Sequence, residues 1–257
     1  MKIVLLGAGN LATQLAKALN RNGLPLEQIY SRTEASAARL AQTVGCHYTT
    51  RLDRLAPADL YICALKDSVL EGVLQQVPDF GQALWVHTSG SLPMNVFEKH
   101  THRYGVFYPL QTFSRGRDVA FDQIPICLET ARPEDMPPLQ QLASALSRRV
   151  VELSSGQRAT LHLAAVFANN FSNCLYDVAA GILSRDGLDF SLLLPLIDET
   201  AAKVHGCTPF EAQTGPAVRM DMNVVSRHLQ LLKRQKDESA AELYLVLSEL
   251  INSRHQL

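Results

Sequence analysis

What the sequence lacks narrows the field first. No apolar run approaches the roughly 20 residues that a bilayer-spanning helix needs, so no membrane passage is expected. Basic residues form no long block: the net charge is −1. The longest basic cluster, Lys233-Arg234-Gln235-Lys236, reads as the solvated face of a helix. A nucleic-acid backbone is therefore not an expected partner. Cysteine is sparse. Cys46, Cys63, Cys127, Cys174 and Cys207 are scattered and odd in number, with no C-x-x-C, which argues against a disulfide framework and against a zinc site. Cys63 and Cys127 stand in apolar runs and read as core. His100-Thr101-His102 looks like a metal pair, but its charged loop offers no third ligand, so no metal is expected. There is no internal repeat, no low-complexity stretch and no disordered tail. The start "MKIVLLGAG" breaks at Gly7 and Gly9, too soon for a secretory core segment; it reads as a strand, and a cytoplasmic protein is expected.

What is present is an ordinary globular composition, 47% hydrophobic and 19% charged over 257 residues. That length suits one large domain or two modest ones. Short apolar runs at 2–6, 28–31, 59–65, 83–89, 104–110, 124–129 and 148–153 predict strands. Helical periodicity falls between them at 10–21, 34–44 and 132–147. Such alternation predicts an α/β fold with a doubly wound, mostly parallel sheet over residues 1–153. After Ser154 the texture changes. Segments 158–183, 190–205, 223–235 and 239–253 all read as helices, so 154–257 is expected to be all-helical.

The stretch Gly7-Ala8-Gly9-Asn10-Leu11-Ala12 is G-x-G-x-x-A between a strand and a helix, the context a dinucleotide-binding turn requires. Gly7 permits the tight turn, Gly9 lets backbone approach a pyrophosphate, and Ala12 keeps helix and strand close. The helix N-terminus then offers free N–H groups and partial positive charge to the phosphate. The alternative is a purely structural glycine turn. Where an NAD reader usually places Asp or Glu, at the end of the second strand, this chain has Ser31-Arg32-Thr33. A guanidinium and two hydroxyls suit a 2′-phosphate, which favours NADP over NAD. Glu34 falls inside the next helix and reads as an acid of its first turn.

The glycine turn, the S-R-T, "HTSGSLP" (87–93), "GVFYPLQTFS" (105–114), "LHLAAVFANNFSN" (161–173) and "AQTGPAVR" (212–219) together resemble one family over nearly the whole chain. Its members join a Rossmann-like domain to a helical domain of unknown function and are labelled NADP oxidoreductases without an assigned substrate. The layout is more distantly similar to pyrroline-5-carboxylate reductase, the deazaflavin-dependent NADP reductase, prephenate dehydrogenase and the 6-phosphogluconate dehydrogenase superfamily. The resemblance implies the fold, an NADP cofactor and a helical domain that dimerises; it implies no substrate.

Ligands of open α/β sheets sit beyond the carboxyl ends of the strands. Ala64, Leu65 and Lys66, then His87, Thr88 and Ser89, lie just past such ends and are expected to line the cofactor. "HTSGS" also reads as a capped polar loop. In prephenate dehydrogenase-like relatives a His-Pro-Met segment resembles Tyr108-Pro109-Leu110, which puts Tyr108, Pro109, Gln111 and Thr112 on the substrate side. The helical domain is expected to supply the opposite wall. At α-helical spacing His162, Val166, Asn169 and Asn173 share one face, with Asn170 about 100° from Asn169. Three amides and an imidazole there either meet a ligand or are satisfied core groups.

Hydroxyacid dehydrogenases of the wider superfamily carry Lys-x-x-x-Asn on the corresponding helix. Here the pattern is Val166-x-x-x-Asn170, so the lysine is absent while Asn170 remains as a catalytic-site amide. His162, one turn earlier, and Lys203 are the candidate acid/base groups. Arg219 either binds an anionic substrate or pairs with Asp221 or Glu211. Two functions stay open: an oxidoreductase moving hydride between NADP(H) and a small carbonyl or imine compound, and a non-catalytic NADP(H)-binding sensor or regulator. A homodimer through 154–257 is expected, since several mostly apolar helices offer more surface than one Rossmann face covers.

Overall fold

The computed structural model describes residues 1–114 and 116–256. The chain divides into two compact units, Met1–Asn169 and a second from Asn170 onward. The composition changes earlier, at 154, because the first helix of alanine-rich character still belongs to the first unit.

The first unit runs β1 (Ile3–Leu6), α1 (Asn10–Arg21), β2 (Leu26–Tyr30), α2 (Glu34–Val44), β3 (His47–Thr49), β4 (Leu60–Cys63), α3 (Asp67–Leu74), β5 (Leu84–His87), β6 (Tyr104–Pro109), β7 (Ile126–Thr130), α4 (Met136–Leu146), β8 (Val150–Glu152) and α5 (Ser155–Ala165). The strands form one sheet in the order β3-β2-β1-β4-β5-β6-β7-β8. All pairings are parallel except β6 with β7, which is antiparallel. This is the expected Rossmann-like class. The chain winds outward from β1 through β2 to β3, then returns to β4, so the order reverses between β1 and β4.

The run-of-apolars pattern has its cause in two-sided burial. β1, β4 and β5 are buried at every position. Alternate residues divide between the faces: Leu5, Ile29, Ile62 and Val86 belong to one core cluster, and Val4, Leu6, Cys63 and Trp85 to another. Each fully buried aliphatic side chain contributes about 1.5–3 kcal/mol. β3 and α3 were not legible in the sequence. β3 is a three-residue edge strand with two exposed positions, and α3 carries Gly72 within a short apolar segment.

The second unit holds α6 (Ser172–Arg185), α7 (Leu194–Lys203), α8 (Pro209–Ala212), α9 (Met222–Arg234) and α10 (Glu238–His255). Side-chain caps start several of them. Thr208 and Glu211 form a capping box on α8, and Asp221 and Asp237 accept from Val224 and Ala240 N–H at the starts of α9 and α10. Its buried residues are few: Val225, Leu232, Ala240 and Ala241. Among the described residues no helix is long and apolar enough to cross a membrane.

Candidate functional site

The parallel strands β1, β4, β5 and β6 are neighbours, and their carboxyl ends open on one edge of the sheet. At the reversal point Gly7 follows β1 and Ala64 follows β4. Gly7 N–H donates to the Tyr30 carbonyl at 2.7 Å, and Ala64 N–H to the Leu6 carbonyl at 2.8 Å. Gly7 has φ of +125°, and a Cβ there would stand 2.3 Å from the Ala64 carbonyl oxygen. Any side chain would break this crossing. Gly9 differs: a Cβ on it would meet nothing within 4 Å, so the absent side chain leaves open space at the N-terminus of α1. Gly9 is the N-cap of α1, no side chain caps the helix, and its first turn carries no acid. The turn thus presents bare backbone donors to an anion. Asn10 and Leu11 open the helix beside partly exposed Ala8. The Asn10 amide is committed elsewhere, donating to the Phe113 carbonyl at 3.0 Å.

Ser31, Arg32 and Thr33 follow β2, and Arg32 and Thr33 are exposed. Thr33 is the N-cap of α2 but makes no side-chain capping bond. Arg32 enters no ion pair among the described residues, while Glu34 accepts from the Tyr48 hydroxyl at 3.3 Å. A free guanidinium with two uncommitted hydroxyls at this strand end fits a 2′-phosphate.

Beyond β5 the predicted polar loop is held by its own hydrogen bonds. His87 is 1% exposed and Thr88 is buried. The His87 Nδ1 accepts from Ser89 N–H at 3.1 Å, and its Nε2 is buried without a hydrogen-bond partner. Burial first, and then the positive charge of Arg158, push its pKa down to about 4. Pro93, Asp67 and Glu129 pull weakly the other way. Ser89 Oγ donates to Asp67 at 2.9 Å and accepts from Ser91 and Leu92 N–H. The side chains of His87 and Ser89 therefore brace the loop. Ala64 and Leu65 are half-buried next to this loop's anchor on α3, and Lys66 is exposed at the N-cap of that helix.

The central feature lies one strand further. Tyr108, on β6, is 8% exposed, and its hydroxyl lies 3.1 Å from Nδ1 of His162 on α5. The rings meet edge to face at 6.0 Å. Gly90 makes this possible: a Cβ on it would stand 2.6 Å from His162 Nδ1 and 2.8 Å from Tyr108 Cζ. Burial pushes the Tyr108 phenol up to about 12, with Arg158 opposing. Pro109 ends β6, buried; Gln111 and Thr112 are exposed beyond it, and Gln111 Oε1 accepts from Thr112 N–H at 2.8 Å.

Beneath the pair lies a buried ion pair that sequence reasoning missed. Arg158, 1% exposed, donates to Glu129 on β7, to the Leu92 carbonyl and to Ser155 Oγ. Glu129 also accepts from Ser155 N–H at 2.7 Å and Ser155 Oγ at 2.8 Å. The available signals were a carboxylate inside the apolar strand "ICLET" and an arginine opening an alanine-rich helix.

The expected single face of His162, Val166, Asn169 and Asn173 needs correction. From Val166 to Phe171 the chain is π-helical, not α-helical. One added residue in a turn shifts the phase by about 100°, so the α-spaced stripe does not persist. Val166, Phe167 and the Asn169-Asn170 pair are weak α-helix formers, and π turns recur at functional sites. Asn169 is exposed at the end of the first unit; Asn170 and Asn173 are exposed in the second. Lys203 also belongs to the second unit, 3.9 Å from Glu199 on the same helix. Neither pairing foreseen for Arg219 forms: Glu211 and Asp221 serve as caps. Among the described residues no cluster of three or more His, Cys, Asp or Glu side chains could hold a metal.

Comparison with known proteins agrees with the fold and with an NADP cofactor. Residues 2–88 match the family model "NADP oxidoreductase coenzyme F420-dependent", and residues 124–251 match a domain of unknown function, DUF2520. No curated protein matches the chain. A solved structure from Bacteroides fragilis, described as a presumed NADP oxidoreductase, is 51% identical, covers 98% of each chain and has a TM-score of 0.90. A Thermotoga maritima protein shares the fold at 23% identity over 99% of this chain and 98% of that one, with a TM-score of 0.75. A reductive aminase from Aspergillus terreus, solved with NADPH and ethyl 5-oxohexanoate, shares it at 15% identity over 98% and 92%, with a TM-score of 0.76. By its glycine turn, its two matched domains and its 51% identity over 98% of the length, the chain belongs to the NADP oxidoreductase family whose members join a dinucleotide-binding domain to DUF2520.

Proposed function

We propose that the protein transfers a hydride between NADP(H) and a small carbonyl or imine compound, with His162 exchanging the accompanying proton. The Tyr108–His162 hydrogen bond at the carboxyl edge of the sheet carries this reading. When bound, the cofactor supplies the hydride chemistry. The chain supplies binding, orientation and the proton. The bare backbone around Gly7 and Gly9 takes the pyrophosphate, and Arg32 takes the 2′-phosphate. His162 Nδ1 is committed to Tyr108, which leaves Nε2 to give or take a proton. An Nδ1–H donated to the tyrosine oxygen survives both protonation states of Nε2, so the ring need not reorient during the reaction. The phenol, pushed up to about 12, stays neutral and does not compete for that proton.

The test is loss of reduced-nicotinamide absorbance over a panel of aldehydes, ketones and cyclic imines. With a turned-over substrate, His162→Asn lowers turnover by roughly 10²–10⁴ while NADPH affinity is kept. A variant with full rate and an unchanged pH profile would overturn the assignment.

The second unit supports a homodimer through residues 154–257. Among the described residues it buries only Val225, Leu232, Ala240 and Ala241, and Leu192, Leu196, Phe210 and Val246 are more than half exposed. So little core does not stabilise a helical unit of this size. A monomeric mass from micromolar to millimolar concentration would refute it.

A further inference from the structure

We infer that Arg158 and Glu129 are positioning residues for the Tyr108–His162 pair, a role that rests on the proton-transfer reading above. Arg158 lies one helical turn before His162 on α5, so both point from the same face. Its planar guanidinium joins three segments: β7 through Glu129, the loop after β5 through the Leu92 carbonyl, and the start of α5 through Ser155. Each segment touches the pair. Cys127, two residues before Glu129, is paired directly with Tyr108, and Glu129 is paired with Val106, so Glu129 and Tyr108 lie on one face of the sheet. The loop held at Leu92 carries Gly90, whose backbone stands against both rings. Met94 N–H donates to Ser155 Oγ at 3.2 Å and closes the far side of that loop. α5 carries His162 itself.

Stability alone does not explain the ion pair. A buried pair seldom outperforms apolar residues of the same volume, because desolvation offsets the attraction. This one even leaves Arg158 Nε without a partner. What the fork does supply is a fixed distance between β6, the Gly90 loop and α5. A lysine gathers its donors on one nitrogen, whereas Arg158 reaches its three acceptors from two separate nitrogens of a rigid fork. The charge also reaches the surrounding groups: it opposes the upward shift of Tyr108 and Cys127 and adds to the downward shift of His87.

The experiment records ¹⁵N ring shifts of His162 in the full chain, which needs neither substrate nor cofactor. The positioning role expects the unmutated protein to hold His162 in the Nδ1–H tautomer, donated to Tyr108, which a free imidazole disfavours; an Nε2–H ring there would overturn it. Arg158→Met and Glu129→Gln should each return the ring to the free-imidazole tautomer mixture; Arg158→Lys should restore little. With a turned-over substrate, kcat should fall roughly tenfold to hundredfold with the NADPH KM unchanged. Should the single variants fail to fold, the E129M/R158M double variant replaces the pair with apolar volume and should fold yet still lose the tautomer. Unchanged His162 shifts in the folded variants, single or double, would overturn the positioning role. Full turnover in His162→Asn would instead overturn the proton-transfer reading and leave the tautomer result standing.

Discussion

Gly90→Ala is the smallest perturbation that separates proton handling from cofactor binding. An added methyl carbon would stand 2.6 and 2.7 Å from His162 Nδ1 and Cγ, and 2.8 Å from Tyr108 Cζ. Comfortable contact needs about 3.5–4.0 Å, so the shortfall is near 1 Å against two rings at once. Gly90 lies outside the left-handed region that would itself exclude alanine, so the cost is space and not backbone conformation. Overpacking of this kind costs about 1–3 kcal/mol. The cheapest relief swings His162 away and gives up the 3.1 Å bond to Tyr108. For a chain of this length each kcal/mol lowers Tm by about 2–4 °C, so a fall of roughly 2–12 °C is expected. If His162 is the proton donor proposed above, turnover should drop further than that modest destabilisation suggests, by roughly 10²–10⁴. NADPH affinity should hold, since the Gly7–Gly9 turn is untouched. Thermal melts, an NADPH fluorescence titration and turnover measured on one preparation decide the matter. A variant with unaltered melting and full turnover would refute the packing argument.

Other outcomes follow from single contacts. Arg32→Ala should erase a tenfold to hundredfold preference for NADP over NAD, since each charge-assisted bond to the 2′-phosphate contributes about 1.5–3 kcal/mol; equal dissociation constants in the unmutated protein would disprove it. His87, held near pKa 4 against an ordinary 6.5, is neutral when folded, and the unfolded chain takes up its proton as pH falls through that window. Stability should therefore decline between pH 6.5 and 4 by about 3 kcal/mol, and His87→Asn should flatten the decline; superimposable acid limbs would contradict this. Gln14, 3% exposed, donates to the Ser114 and Arg117 carbonyls at 3.0 Å each, so Gln14→Leu should loosen the loop after β6 and speed its proteolysis, with no change in rate counting against the clamp.

The doubly wound sheet was legible because two-sided burial writes a near-continuous apolar run into each strand. The same burial left no alternation to give strand direction, so the antiparallel setting of β7 was not foreseen. The glycine turn was legible because its demands are local: the positive φ and the 2.3 Å Cβ contact at Gly7 admit only glycine, and Gly9 leaves the start of α1 open. The polar loop at 87–91 was ambiguous for the opposite reason. Histidine and serine make good ligand contacts and equally good loop braces, and only the geometry shows His87 Nδ1 and Ser89 Oγ spent on backbone N–H groups.

Tyr108 and His162 illustrate how a site escapes a sequence whose parts are all visible in it. Each was nominated separately, one for the substrate side and one as an acid, because each stands in a recognisable local pattern. The bond between them spans 54 positions, and nothing within either segment requires it. It exists because β6 and α5 are brought together over a glycine in a third segment, and because a carboxylate on β7 and an arginine on α5 fix that approach from below. Periodicity pointed instead to Asn169 and Asn173 as companions of His162, and the π turn beginning at Val166 breaks the spacing on which that rested. Deleting the histidine alone cannot tell a proton donor from a packed ring. Moving it by one methyl group at Gly90, or releasing it through Arg158, changes its position and its tautomer while the imidazole itself is retained, and it is the agreement of those two variants that would identify the ring as the proton carrier.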